Sequence, residues 1–254
     1  MKNYRTIILF FIICYSNLLS QGFDWQWSAR FPVKNPQDYY GLNINYGLDY
    51  LVGHISMLED RVDCPDFVGA NGSHFGIGLN YTHWEKNNRY AIYGLLQYNA
   101  FSVSAYSIDK VPLTDDVIAR YKISLDYNFN QIELLVGVNY RILETHFSIG
   151  AGINIGGLFN GSFSVNEEIL GPADVPPFQT NPPSYSREIV AGELKSLNIF
   201  QIRPHIKLSY NLQLGRGTYI EPNLCYKIPL GSIFNGDDVL HNSILFGVSF
   251  YRAF

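Results

Sequence analysis

The chain has 254 residues, 47% of them hydrophobic and 15% aromatic, with 18 Lys and Arg against 22 Asp and Glu. That length allows one large domain or two small ones. The acidic balance argues against nucleic acid as a partner. The first twenty residues read as a secretory signal. Lys2 and Arg5 supply the positive end, Ile7 to Cys14 the apolar core, and Asn17-Leu18-Leu19-Ser20 lead to cleavage before Gln21. As a membrane anchor the apolar run is short. Without residues 1–20 the chain keeps 16 basic and 22 acidic side chains, a formal charge of −6.

Residues 21–38 form a lead-in with Trp25, Trp27, Pro32 and Pro36, and residues 39–254 form the body. Strand one is expected over 40–55. In Tyr40-Gly41-Leu42-Asn43-Ile44-Asn45-Tyr46-Gly47-Leu48-Asp49-Tyr50 every second side chain is apolar, the period of a strand with one apolar and one polar face. Strand two (73–84) repeats it with Phe75, Ile77, Leu79 and Tyr81, and strand three (from Arg89 to as far as Ser107) with Tyr90, Ile92, Leu96 and Tyr98.

Next, Tyr121, Ile123, Leu125, Tyr127 and Phe129 share one parity, and Ile132, Leu134, Val136, Val138 and Tyr140 the other. A hairpin turn at Asn130-Gln131 makes two strands there and nine in all. A bulge keeps one bent strand. Bacterial single-chain membrane barrels close with an even count, which favours the bulge and eight strands over nine; ten needs a further division that no segment supplies. Strand five is expected over 145–157, six over 198–210, seven over 217–228 and eight over 241–254. Pro204 and Pro222 fall inside strands and remove ladder donors, so they require either bulges or different strand limits.

Connections near 58–72, 108–117, 158–196 and 229–239 are long, and those near 85–88, 142–144 and 211–216 short. An up-and-down barrel puts all the long ones at one end, facing outside the cell. The reading is therefore all-β: an antiparallel up-and-down transmembrane β-barrel of eight strands in the cell outer membrane. A soluble lipocalin-like barrel shares the alternation but turns its apolar face inward. Three features favour lipid outside. The polar face carries Gly41, Gly47, Gly76, Gly78, Gly150 and Gly152, which suit a crowded interior. Asp49, Lys122, Asp126, Glu133, Arg203, Lys207 and Glu221 mix both signs there and can pair across a lumen. Tyr46, Tyr81, Tyr98, Tyr127, Tyr140, Tyr210, Tyr226 and Tyr251 suit interfacial girdles.

On the signal, the meander and the final strand Asn242 to Phe254, the chain resembles the small outer-membrane β-barrel proteins of Bacteroidota and related bacteria, and more distantly the eight-stranded barrels of the OmpA and OmpX type. The resemblance covers residues 38–254. In it Ile244, Phe246, Val248, Phe250 and Phe254 match the terminal signal read by the outer-membrane assembly machinery, and Arg252 departs from it. The resemblance implies a membrane partner of outer-membrane lipid and lipopolysaccharide.

Candidate chemistry is sparse. His54, His74, His83, His146, His205 and His241 fall in no metal-ligand spacing. His205 reads as part of a lumen network with Arg203 and Lys207. His83, on an apolar parity, is the one hint of a lipid-modifying enzyme. Cys64 and Cys225 are placed to pair only in an oxidising compartment. No catalytic, cofactor-binding or metal residue is assigned. An eight-stranded interior is narrow enough for side chains such as Glu133, Gln97, Gln201, Arg203 and Lys207 to fill. The expected function is a non-enzymatic structural or surface-interaction role through the extracellular loops, with 158–196 as the candidate contact for an extracellular ligand. A lipid-modifying enzyme or a narrow solute channel is the alternative.

Overall fold

The computed structural model describes residues 37–55, 67–85, 89–114, 117–142, 146–172, 175–194, 197–215, 217–235 and 238–253. The signal, the lead-in through Pro36 with both of its Trp residues, Cys14, Cys64 and Phe254 lie outside the described residues. Within them, no helix is long and apolar enough to cross a membrane, which says nothing of crossing by strands.

Ten antiparallel strands form one sheet: β1 (Asp38–Ile55), β2 (Phe67–Trp84), β3 (Tyr90–Thr114), β4 (Val117–Arg141), β5 (Phe147–Gly171), β6 (Ser186–Glu193), β7 (Phe200–Tyr210), β8 (Leu212–Gly215), β9 (Thr218–Lys227) and β10 (Leu240–Ala253). Pairing runs β1-β2-β3-β4-β5-β7-β9-β10 and returns from β10 to β1, so the sheet closes into a ring. β6 stands outside that circuit on β5, and β8 on β9.

The expected eight-stranded meander is therefore incorrect: among the described residues there are ten strands, and two of them leave the ring path. β6 forms in the segment expected as a loop, where Ser186–Glu193 lines up against Ser162–Glu168 of β5. β8 continues the line of β7 in the same register against β9. Ser209 faces Asn223, and Leu212 faces Ile220. The break falls where Tyr210 would meet Pro222, whose nitrogen has no hydrogen to donate. At Asn211 the backbone N–H turns the other way, to the His146 carbonyl at 3.0 Å.

The parity switch in β4 is neither a turn nor a bulge. The register with β3 is unbroken from Tyr90↔Tyr140 to Pro112↔Ile118. Odd positions face inward along the whole strand, from Ile123 to Asn139. What changes at Asn130-Gln131 is the chemistry of the two faces. Toward the short-turn end the outside is apolar (Ile132, Leu134, Val136, Val138, Tyr140) and the inside, Leu135 apart, polar or Gly (Gln131, Glu133, Gly137, Asn139). Toward the other end the inside is apolar (Ile123, Leu125, Tyr127, Phe129) and the outside polar (Ser124, Asp126, Asn128).

The bulge sits instead on β5, where Asn160 and Gly161 oppose the single residue Phe129. Asn160 takes φ 51°, a left-handed conformation that Asn tolerates better than most residues. That extra residue flips the facing of β5. Odd positions 149–155 point out and odd positions 163 and 165 point in, so apolar residues stay on the correct side at both levels. The 108–117 connection, expected as a loop, is the tip of the long β3–β4 hairpin, with two residues between the strands. Segment 158–196 likewise holds the outer part of β5, the turn region 172–185 and β6.

The interior has three layers. At the short-turn end Tyr39, Trp84, Ala91 and Tyr251 close the ring, with the Arg141 guanidinium 4.2 Å from the Trp84 ring centre. The middle is polar. At the far end a larger apolar core fills the space: Phe101, Val103, Leu125, Tyr127, Phe129 and Val165 from the strands, joined by Leu194, Leu197, Ile233, Phe234 and Val239 from the connecting segments. Outside this core, Ala119, Ile169 and Val175 pack with Tyr121 and Phe178 under the tip of the protruding sheet.

Candidate functional site

The polar middle layer holds three carboxylates and three cations among the described buried residues: Asp49, Glu133 and Glu221 with Arg203, Lys207 and Lys227. The carboxylates and the Lys and Arg side chains are equal in number. Glu133 is the hub. It accepts from Lys227 Nζ and Gln97 Nε2, from Asn99 Nδ2 at 2.8 Å and from Arg203 Nη2 at 3.2 Å. Lys207 donates to Glu221 at 2.6 Å across the β7–β9 boundary. Such pairs hold together because each buried charge meets an opposite one and several dipoles.

A second cluster surrounds Asp49. Its Oδ2 lies 2.7 Å from His74 Nδ1 and its Oδ1 2.8 Å from His241 Nε2, and it also accepts from Ser243. Arg203 Nη1 donates to His241 Nδ1 at 3.1 Å and so joins the two clusters. Serine, histidine and aspartate thus meet, but not as a nucleophilic triad. A triad needs one imidazole nitrogen for the hydroxyl and the other for the carboxylate. Here Nε2 faces both Asp49 and Ser243, while Nδ1 is taken by Arg203. The Phe101–Phe129 stack, with ring centres 4.7 Å apart, lies against His241 and borders the cluster on the protruding side.

Packing here leaves no room for larger side chains. A Cβ on Gly47 would fall 1.9 Å from the His74 ring, and one on Gly76 2.1 Å from Asn99 Oδ1. A small cavity of about 30 Å³ lies beside Asn43, Asn80, Tyr93 and Lys207. Asn80, Asn139 and Asn154 have no protein partner for either amide atom. Water is their natural partner, since buried amides are rarely left unsatisfied.

Several sequence expectations land here. Asp49, Glu133, Arg203, Lys207 and Glu221 face inward as expected, and so do Gln97 and Gln201. Lys122 and Asp126 do not. Both lie on the outer face of the protruding sheet, Lys122 with Glu168 at 3.9 Å and Asp126 with Ser104. Tyr127 and Tyr251 are buried inside rather than in a girdle. Exposed aromatics do ring the short-turn end, with Tyr40 against Tyr81, Tyr90 against Tyr140 and Phe147 against Tyr210. His205 meets Tyr93 inside. His83 is half-exposed and bonds Asp38 at 2.9 Å. Cys225 is a free, buried thiol. Among the described residues no cluster of three His, Cys, Asp or Glu could hold a metal ion. Sequence reading missed Lys227, His74 and His241 as partners. Lys227 shares its parity with Glu221 and Cys225, which is the signal that places it inside.

The second candidate surface is the outward face of the β3–β4 tip. Tyr106 is 69% exposed, with Ile108 and Ile118 also open. Lys110 and Arg120 stand directly opposite each other, and Lys122 opposite Ile108. Like charges in that position are destabilising by themselves.

No family model matches this chain, and no curated protein matches it in sequence. Among solved structures it is similar to the attachment invasion locus protein Ail of Yersinia pestis, at 11% identity and TM-score 0.34, over 85% of this chain and 99% of that one. It is also similar to Neisserial surface protein A (10%, TM-score 0.36, 85% and 97%) and to the outer membrane protease OmpT of Escherichia coli (10%, TM-score 0.30, 89% and 99%). At these values the likenesses carry no conclusion about this chain. The class that its own geometry defines is an all-β protein built on one ring-shaped sheet.

Proposed function

We propose that the chain is an integral outer-membrane protein with a non-enzymatic role, anchored by its apolar belt and presenting the protruding sheet to partners outside the cell. The observation that carries this reading is the inversion along β4. The belt includes Leu42, Ile77, Leu79, Ile92, Leu134, Val138, Ile149 and Ile206, all between 43% and 63% exposed. Removing the open half of one such side chain from water is worth about 1 kcal/mol, so a continuous belt of them favours lipid strongly. The row Ile132 to Tyr140 covers about 27 Å of strand, or roughly 20 Å of height at the usual tilt, close to the apolar band of spanning sheets. Beyond Asn130 the outer face turns to Ser, Asn and Asp, as a surface leaving lipid should. The outward row Ile244, Phe246, Val248 and Phe250 on β10 suits recognition by the assembly machinery, and the polar face next to the belt suits lipopolysaccharide headgroups.

For the outer partner, Lys110, Arg120 and Lys122 beside Tyr106 favour an anionic ligand. A solute channel is disfavoured by the aromatic and apolar layers at the two ends of the polar middle. An enzyme is disfavoured because the Asp49, His241 and Ser243 groups are enclosed between those layers. Membrane fractionation of the full chain tests the anchor: recovery with membranes, released only by detergent, is expected, and recovery in the soluble fraction would overturn it. Retention of the detergent-solubilised chain on sulfated dextran, weakened by salt and lost in Lys110→Ala/Arg120→Ala, tests the partner chemistry. Unchanged retention in that variant removes the tip from the reading.

A further inference from the structure

One boundary in the ring differs from its neighbours. β7 and β9 pair over five residues, from His205↔Lys227 to Ser209↔Asn223, and after a break at Tyr210 and Asn211 the seam resumes for three pairs between β8 and β9, from Leu212↔Ile220 to Gly215↔Thr218. The adjoining ladders run longer and without a break: β5–β7 from Phe147↔Tyr210 to Gly157↔Phe200, and β9–β10 from Ser243↔Lys227 to Arg252↔Thr218.

The two strand prolines explain the difference. The Ile228 N–H donates to the Pro204 carbonyl at 2.8 Å, so the backbone polar groups of Pro204 face β9. Pro204 has no N–H to return, and the ladder ends there. On β9, residues 228, 226, 224 and 222 share one parity, and the register with β10 shows no shift across them. Backbone groups of like parity point to the same side of a strand, so Pro222 also turns its bare nitrogen toward β7. Its opposite number is Tyr210, where the ladder breaks before β8 resumes it at Leu212. Neither proline lies at a bulge. Each removes a donor from the same seam, Pro204 at its end and Pro222 at the break between the β7 and β8 pairs.

Inside, few side chains bridge the seam. Lys207 of β7 bonds Glu221 of β9, and Arg203 and Lys227 both hold Glu133 of β4. Cys225 stands opposite Lys207 with its thiol buried behind the seam.

We propose that the β7–β9 seam is a lateral gate: the place where the ring wall opens, exposing the polar middle of the interior while the rest of the sheet stays paired. Local opening follows the weakest cooperative unit of a sheet, and the five-pair stretch bounded by the two prolines, broken from the β8 pairs that follow, is that unit in the ring. Pro204 and Pro222 set how often it opens, and the Lys207–Glu221 pair closes it. That the opening leads to lipid rests on the membrane reading above. That it opens at all does not.

The native thiol reports the motion. The full chain, with Cys14→Ser and Cys64→Ser, is folded in detergent micelles and treated with N-ethylmaleimide. Cys225 is expected to react at least roughly tenfold faster than a Leu135→Cys thiol in a Cys225→Ala background, since Leu135 is equally buried but lies on the long β3–β4 ladder. Pro204→Ala/Pro222→Ala, which restores both donors, is expected to slow Cys225 several-fold and leave the Leu135→Cys thiol unchanged. Equal rates for the two thiols, or no slowing in the double variant, would overturn the gate. If the double variant does not fold, hydrogen exchange on the unsubstituted chain decides. Faster exchange at Ile206 and Leu208 than at Tyr98 and Leu134 supports the gate, and equal protection overturns it. Because micelles replace the bilayer, this result is independent of the fractionation test.

Discussion

Followed from Tyr140 toward Arg120, β4 passes through two proteins with opposite rules. From Tyr140 to Ile132 its outward residues are apolar and its inward ones, Leu135 and Gly137 apart, polar; from Asn130 to Ser124 the assignment is exchanged with no break in the register with β3. On the membrane reading proposed above, the lower region is a lipid-solvated sheet, with charges paired inside, and the upper region a water-solvated one, with Phe101, Leu125 and Val165 in its core. The comparison teaches that the solvent outside, not the strand, decides which face of a sheet carries the apolar side chains.

The comparison can be broken at several points, each read as a change in unfolding free energy. Glu133→Ala should have the largest effect, about 3–5 kcal/mol, because it strands Lys227 and Arg203 in the interior. In the upper core Leu125→Ala should cost about 2–5 kcal/mol by opening a cavity at a fully buried site. Arg at an outward position separates the regions most cleanly. Leu134→Arg, in the belt, should cost about 2–4 kcal/mol in a bilayer, while Asn128→Arg, beyond the boundary, should change stability by less than about 0.5 kcal/mol. Equal costs at the two sites would break the comparison. The smallest effect belongs to Arg187→Ala. Its pair with Glu167, at 2.6 Å, is exposed on the Arg187 side and should contribute under about 1 kcal/mol, less in high salt.

Much of this was legible in the chain. The alternation marks the ring strands because a strand with one apolar and one polar face keeps a strict period of two, and the mixed charges on the polar parity mark a filled interior. What misled was the assumption that one face stays apolar throughout. On β4 the parity of apolar residues switches while the backbone runs on, and the change of solvent reads as a bulge. On β5 the apolar parity persists while Asn160-Gly161 shift the backbone, and the real bulge leaves no trace in the pattern. The upper strands also read as loops, since Ser, Asn and Asp outside and scattered apolar residues inside resemble connecting sequence. β6 has only Ile189 and Val190 half-buried, too little apolar contrast to announce a strand. The interior pairs were partly legible: parity places Glu133 and Arg203 inside, but the partnership of Asp49 with His74 and His241 depends on register between distant strands.

The central claim is that the solvent changes from lipid to water at Asn130-Gln131. Single Trp substitutions along the outward face of β4, at Val138, Leu134, Asn128 and Ser124, in vesicles of brominated lipid, test it most directly. Fluorescence beyond that of the unsubstituted chain should be quenched strongly at positions 138 and 134 and hardly at 128 and 124. Quenching that is absent at 134, or equal at all four positions, would contradict it.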